Sequence, residues 1–129
     1  MDALRFLNAQ ERACLERYFT ILSQHLGPSL VEVWLFGSAA RGDMWPDSSP
    51  MHSDIDLLII TNERPSQDLC AALIDETYPL FLECGRQISP SVTTVGEFRA
   101  PPTERLREAF ERVREEGTLV YRPGQAGGG

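Results

Sequence analysis

The sequence predicts an α/β fold, a small mixed β-sheet with helices packed on it. Two observations lead there. Helical and extended patterns alternate along the chain, in the order helix, strand, short helix, strand, helix, strand, helix, strand, and such alternation layers helices on a sheet. The stretch from Asp54 to Thr61 turns apolar on both faces after Asp56, which suits a strand in the middle of a sheet. At 129 residues, with 42% hydrophobic and 24% charged residues, the chain is long enough for one domain with a modest core and has an ordinary globular balance. It carries no internal repeat.

Each element has a local reason. Asn8, followed three residues later by Glu11, has the form of a capping box. Leu15, Tyr18, Phe19, Leu22 and Leu26 recur at helical spacing, so the first helix should run from about residue 8 to 26, where Gly27-Pro28 stops it. Leu30 to Phe36 is rich in β-branched and aromatic residues and predicts a buried strand ended by Gly37. Ser38 then caps a short helix through Arg41. Residues 42 to 53 carry prolines, serines and other turn formers and predict a loop. Asp54 to Thr61 is the second strand. Ser66 caps a third helical stretch, in which Leu69, Leu73, Thr77, Leu80 and Cys84 keep the period as far as Gly85. Pro79 lacks a backbone donor and predicts a kink there rather than an end.

Gln87 to Thr94 alternates weakly, and Pro90 pushes that strand toward a sheet edge or a bulge. Val95 to Pro102 predicts a loop. A charged helix follows from Thr103 to Gly117, with Leu106, Phe110 and Val113 on one face, and then a short strand from Thr118 to Arg122. Residues 123 to 129 are glycine-rich and expected to form a disordered tail.

Charge and composition exclude several functions. No apolar run approaches the ~20 residues of a membrane span. The start, Met-Asp-Ala-Leu-Arg, lacks the layout of a signal peptide, so cytoplasmic residence is expected. The formal net charge of −7 argues against direct nucleic-acid binding, which rests on cations meeting phosphates, and leaves room for a basic protein partner. Cys14, Cys70 and Cys84 are far apart and have no metal-type spacing. The first two fall within helical patterns as packing residues, and Cys84 lies at a helix end.

The chemistry gathers at two places. Asp54 and Asp56, two apart on a strand, should share a face. Aspartates are disfavoured in strands, and two beside each other repel unless a cation lies between them. Magnesium takes oxygen ligands and is commonly held by one or two carboxylates plus substrate phosphates. Upstream, Gly37 lets the chain turn sharply, and the amides and hydroxyl at Ser38 would open a helix, an arrangement suited to phosphate. Taken alone, Gly-Ser is equally a plain capped turn. The aspartate pair gives it meaning.

Phe36-Gly-Ser-Ala-Ala-Arg-Gly42 and Ser53-Asp-Ile-Asp-Leu-Leu-Ile59 together closely resemble the nucleotidyltransferase superfamily typified by DNA polymerase β, and within it the minimal nucleotidyltransferases. The resemblance covers roughly residues 30 to 94, and Glu116 to Tyr121 looks like the closing strand of small members. It implies that residues 1–122 form the transferase domain. Gly37 and Ser38 would bind the β- and γ-phosphates of ATP, and Asp54 and Asp56 would hold two magnesium ions. Arg41 would neutralise phosphate or leaving pyrophosphate, or else pair with Asp43 at the surface. An acceptor hydroxyl would attack the α-phosphate.

Trp45 and His52 lie in a loop longer than in many minimal members, within reach of base or phosphate or simply packed and solvated. The superfamily usually places a third carboxylate on the strand after the helix, as metal ligand and general base. Here Gln87-Ile-Ser-Pro-Ser-Val92 offers serine instead. The chain is also too short for an acceptor-binding helical domain, so a second polypeptide is expected to supply it. The resemblance points to the antitoxin of pairs whose other half is a helical HEPN toxin, forming a hetero-oligomer in which the toxin is adenylylated. Two other readings stand: transfer to a small hydroxylated molecule such as an aminoglycoside, and an idle binding module that masks its partner.

Overall fold

The computed structural model describes residues 7–37 and 54–122. Helix α1 spans Ala9–Leu26, and its capping box forms: Asn8 Oδ1 accepts from the Glu11 amide at 2.7 Å, and Glu11 Oε1 accepts from the Asn8 amide at 3.0 Å. A 3₁₀ turn, Gly27–Ser29, carries Pro28 in its first turn and leads into strand β1, Leu30–Phe36. Strand β2 is Ile55–Thr61, so Asp54 sits one residue ahead of it.

The third helical stretch differs from expectation. It is two helices, α2 (Gln67–Asp75) and α3 (Thr77–Cys84), divided at Glu76. The ring of Pro79 bars a bond to the carbonyl four residues back, so the helix ends there and restarts. Pro79 then falls in a first turn, where amides lack helical partners anyway. Thr77 Oγ1 donates to the Ile74 carbonyl at 2.6 Å and satisfies one of the carbonyls freed by the break.

Strand β3 is Ile88–Thr94. Where a loop was expected, a short helix α4 forms at Val95–Arg99, capped by Thr94, whose hydroxyl accepts from the Glu97 amide at 3.2 Å. Helix α5 (Glu104–Glu116) and strand β4 (Thr118–Tyr121) complete the chain.

The sheet order is β3-β2-β1-β4. β1 is antiparallel to both β2 and β4, while β2 and β3 are parallel. The apolar β2 is thus central, and the proline-bearing β3 forms an edge, as their sequences predict.

One face of the sheet (Val33, Leu35, Ile55, Leu57, Ile59) is buried under α1, α2 and α3, where Leu15, Tyr18, Leu22, Leu73 and Leu80 complete the main core. The opposite face is only partly covered. Phe98 of α4 and Phe110 of α5 pack over Leu58 and Ile60, their ring centroids 5.3 Å apart. Among the described residues no helix is long and apolar enough to cross a membrane.

Candidate active site

The site lies on that partly covered face, at the end where β1 finishes and β2 and β3 begin. Phe36 pairs with Asp56, and Asp56 pairs with Ser89, so the three strands meet there in one row. Gly37 follows with a left-handed φ of 73°. A Cβ at Gly37 would lie 2.6 Å from Asp56 Oδ2. Glycine is therefore required twice, by the backbone angle and by the carboxylate against it.

Asp54 and Asp56 come together as their spacing predicts. Asp54 is exposed and Asp56 half-buried. Burial pushes the Asp56 carboxyl above the ordinary value of 3.8, and the charge of Asp54 pushes it further in the same direction. The pair is thus a place where negative charge is held at a cost that a bound cation would relieve. Its donors are carboxylate oxygens, which suit magnesium completed by substrate phosphates. Among the described residues no group of three or more His, Cys, Asp or Glu gathers.

Ser89 occupies the third-strand position. Its hydroxyl donates to Asp54 Oδ2 at 2.8 Å, orienting one carboxylate. That contact links the end of one strand to a residue 35 positions away, and only the β2–β3 register brings it about. The acidic residues flanking this strand are engaged elsewhere, Glu83 by Arg17 and Glu97 by Arg64. Ser38, Arg41, Trp45 and His52 lie outside the described residues.

Beyond this row a cavity of about 450 Å³ opens between the sheet and α5. Phe36, Leu58, Phe110 and Val113 wall it, and Arg64 and Arg112 stand at it. No local sequence signal marks it, because its walls come from separate elements.

A Gly turn thus lies against Asp56, with Asp54 beside it, on the partly covered face of a mixed α/β sheet. A family model described as nucleotidyltransferase domain matches residues 15–116, and the chain belongs to that family.

Among curated proteins, an aminoglycoside (3'')(9) adenylyltransferase of Klebsiella pneumoniae is 39% identical over 56 residues. The match takes in 43% of this chain and 20% of the relative, so it spans about a fifth of that protein's length. A solved minimal nucleotidyltransferase is 25% identical, with a TM-score of 0.53, over 85% of this chain and 92% of its own. An Enterococcus spectinomycin adenyltransferase, solved with ATP and spectinomycin, is 17% identical, with a TM-score of 0.65, over 87% of this chain and 56% of its own. The complex of a tri-AMPylated Shewanella oneidensis HEPN toxin with its MNT antitoxin gives 13% identity and a TM-score of 0.52, over 87% of this chain and 72% of the other. These structures share the fold.

Proposed function

We propose that residues 1–122 form a cytoplasmic, magnesium-dependent nucleotidyltransferase that moves AMP from ATP onto a hydroxyl of a helical HEPN-type partner, acting as its antitoxin. The observation that carries the reading is the Gly37 turn closed against Asp56, with Asp54 beside it on the same face. The fold shared with antitoxins of toxin–antitoxin complexes supports the choice of partner.

In this reading Gly37 and Ser38 seat the β- and γ-phosphates, and Arg41 meets the leaving pyrophosphate. Asp54 and Asp56 would hold magnesium, which would supply charge neutralisation at the reacting phosphate. Ser89 keeps Asp54 in its rotamer. The acceptor oxygen bonds to the α-phosphorus as the bond to pyrophosphate breaks, and the hydroxyl proton passes to water.

Two other readings rest on particular observations. The hydroxyl of Ser89, standing where the superfamily usually has a carboxylate, favours a module that masks its partner without turnover. The stretch shared with aminoglycoside adenylyltransferases favours a small hydroxylated acceptor.

Incubation with α-labelled ATP, magnesium and the product of the neighbouring gene separates them. Transfer of label to that protein, reduced about 10²-fold or more by Asp54→Asn/Asp56→Asn, is the expected result. Label transfer that survives the double substitution would sink the assignment of the carboxylates. Silencing of the partner with no label moved would replace it with the masking module.

A further inference from the structure

We propose that the outer side of α2 and α3 is a docking surface for an amphipathic helix of another protein, one whose apolar stripe is bordered by lysine and arginine. The proposal goes beyond the transferase reading and does not rest on it. Leu73, Thr77 and Leu80 of the two helices face inward and are buried. One position further along, Ile74, Tyr78 and Leu82 recur every four residues and face solvent, 55%, 61% and 65% exposed, with Phe81 beside them. The bond from the Thr77 hydroxyl to the Ile74 carbonyl holds the two parts of this row together across the break. A surface helix needs one apolar side, and a helix apolar all round is normally covered all round. Helix α3 carries a single charged residue, Glu83, in its eight. Helix α5 shows the contrast, for it turns Glu104, Arg105, Arg107, Glu108 and Glu111 to solvent.

The form of the occupant follows from backbone chemistry. A helix surface has no ladder of free amides and carbonyls, so an extended segment laid on it would leave its own backbone unpaired in an apolar contact. A helix arrives with those groups already bonded, and its ridges fit between side chains spaced four apart.

The charge of the occupant follows from the border of the row. From Gln67 to Cys84 there are four carboxylates, Asp68, Asp75, Glu76 and Glu83, and no cation. Arg17 pairs with Glu83, whereas Asp68, Asp75 and Glu76 have no ion-pair partner among the described residues. Asp75 and Glu76 lie between Ile74 and Tyr78 in the chain, so the apolar row has an acidic edge that a helix with a basic border complements. A second copy would set acid against acid across the contact, and an anionic membrane would be repelled in the same way.

The sheet stands between this surface and the carboxylates of the candidate active site. Helices α1, α2 and α3 cover the face of Leu57 and Ile59, and Asp56 shares the opposite face with Leu58 and Ile60. A helix docked on α2 and α3 therefore leaves the Gly37 turn open.

The test uses two synthetic helical peptides of about 18 residues, or five turns, each with a leucine stripe at i, i+3, i+4 and i+7. One carries lysine beside the stripe, and its twin carries glutamate. Titrated into the full isotope-labelled chain and followed by NMR, the lysine peptide should shift the amide signals of Ile74, Tyr78 and Leu82 and leave those of Gly37 and Asp56 in place. Magnesium with a non-transferable ATP analogue should not displace it. The glutamate twin should bind at least about tenfold more weakly. Tyr78→Ser/Leu82→Ser, both at exposed positions, should weaken the lysine peptide about tenfold or more at an unchanged urea midpoint. Asp75→Lys/Glu76→Lys leaves the row intact and should bring the two peptides within about threefold of each other.

No shift at these signals, equal affinity of the parent for the two peptides, or binding that survives the double serine substitution would overturn the proposal. A dimer in sedimentation that Tyr78→Ser/Leu82→Ser dissolves would give the surface to a second copy instead. Partition onto phosphatidylcholine vesicles through the same residues would give it to a membrane. Movement of the Ile74, Tyr78 and Leu82 signals in Leu4→Ser/Phe6→Ser, with no peptide present, would give it to the chain's own first residues.

Discussion

Asp56 is the residue on which the molecule's energetics and chemistry disagree. It is the second residue of an otherwise apolar strand, half-buried, with Asp54 beside it and the Gly37 backbone against it. Its carboxyl is held above 3.8 by burial and then by Asp54, so without a cation the folded chain binds its proton more readily than the unfolded chain does. Folding is then favoured below 3.8, and this contribution is lost as pH rises through the raised value. Asp56→Asn removes the cost, and the metal-free variant should be more stable than the parent at pH 7 by about 0.5–2 kcal/mol in urea unfolding. The gain should shrink as pH is lowered toward 3.8. Magnesium should stabilise the parent at neutral pH, progressively less on acidification, and leave the variant nearly unmoved. A variant less stable than the parent at pH 7 would contradict this account.

At the scale of elements, the caps set the boundaries. Asn8 and Glu11 satisfy each other's backbone amides at the head of α1. Asn8→Ala should cost about 1 kcal/mol, read as a lower urea midpoint at unchanged slope. Features of this kind are legible in sequence because donor and acceptor lie three residues apart. The same locality makes the pairing of Asp54 with Asp56 legible. The division of α2 from α3 was less so, since a proline acts on the carbonyl one turn upstream, and the break appears at Glu76 rather than at Pro79. Helix α4 is not legible in the sequence although Thr94 and Glu97 have cap spacing, because it is five residues long and contains Gly96. The contact of Ser89 with Asp54 and the cavity under α5 depend on sheet register and on the docking of a helix, and no window of sequence contains them.

At the scale of the whole molecule, a buried ion pair ties α1 to the start of β3. Arg86, just before β3, donates from Nε to Glu11 Oε2 of α1 at 3.0 Å, and both side chains are 4% exposed. Glu11 thus serves its own helix cap and the strand edge that carries Ser89. Removing one partner of a buried pair leaves the other charge stranded, so Arg86→Met should cost about 3–5 kcal/mol in urea unfolding. A loss below about 1 kcal/mol would mean that the pair is effectively solvated.

The placement of Pro90 on the outer strand has a different reach. A chain laid along β3 would find one donor of the ladder missing at the third of its seven residues. That edge is therefore a poor template for backbone pairing, whether by a second copy or by an unfolded neighbour. A protein that meets the molecule on the side bearing Ser89 must recognise it through side chains and surface shape. Strand addition draws affinity from main-chain hydrogen bonds that any extended peptide carries, whereas recognition here must come from side chains alone.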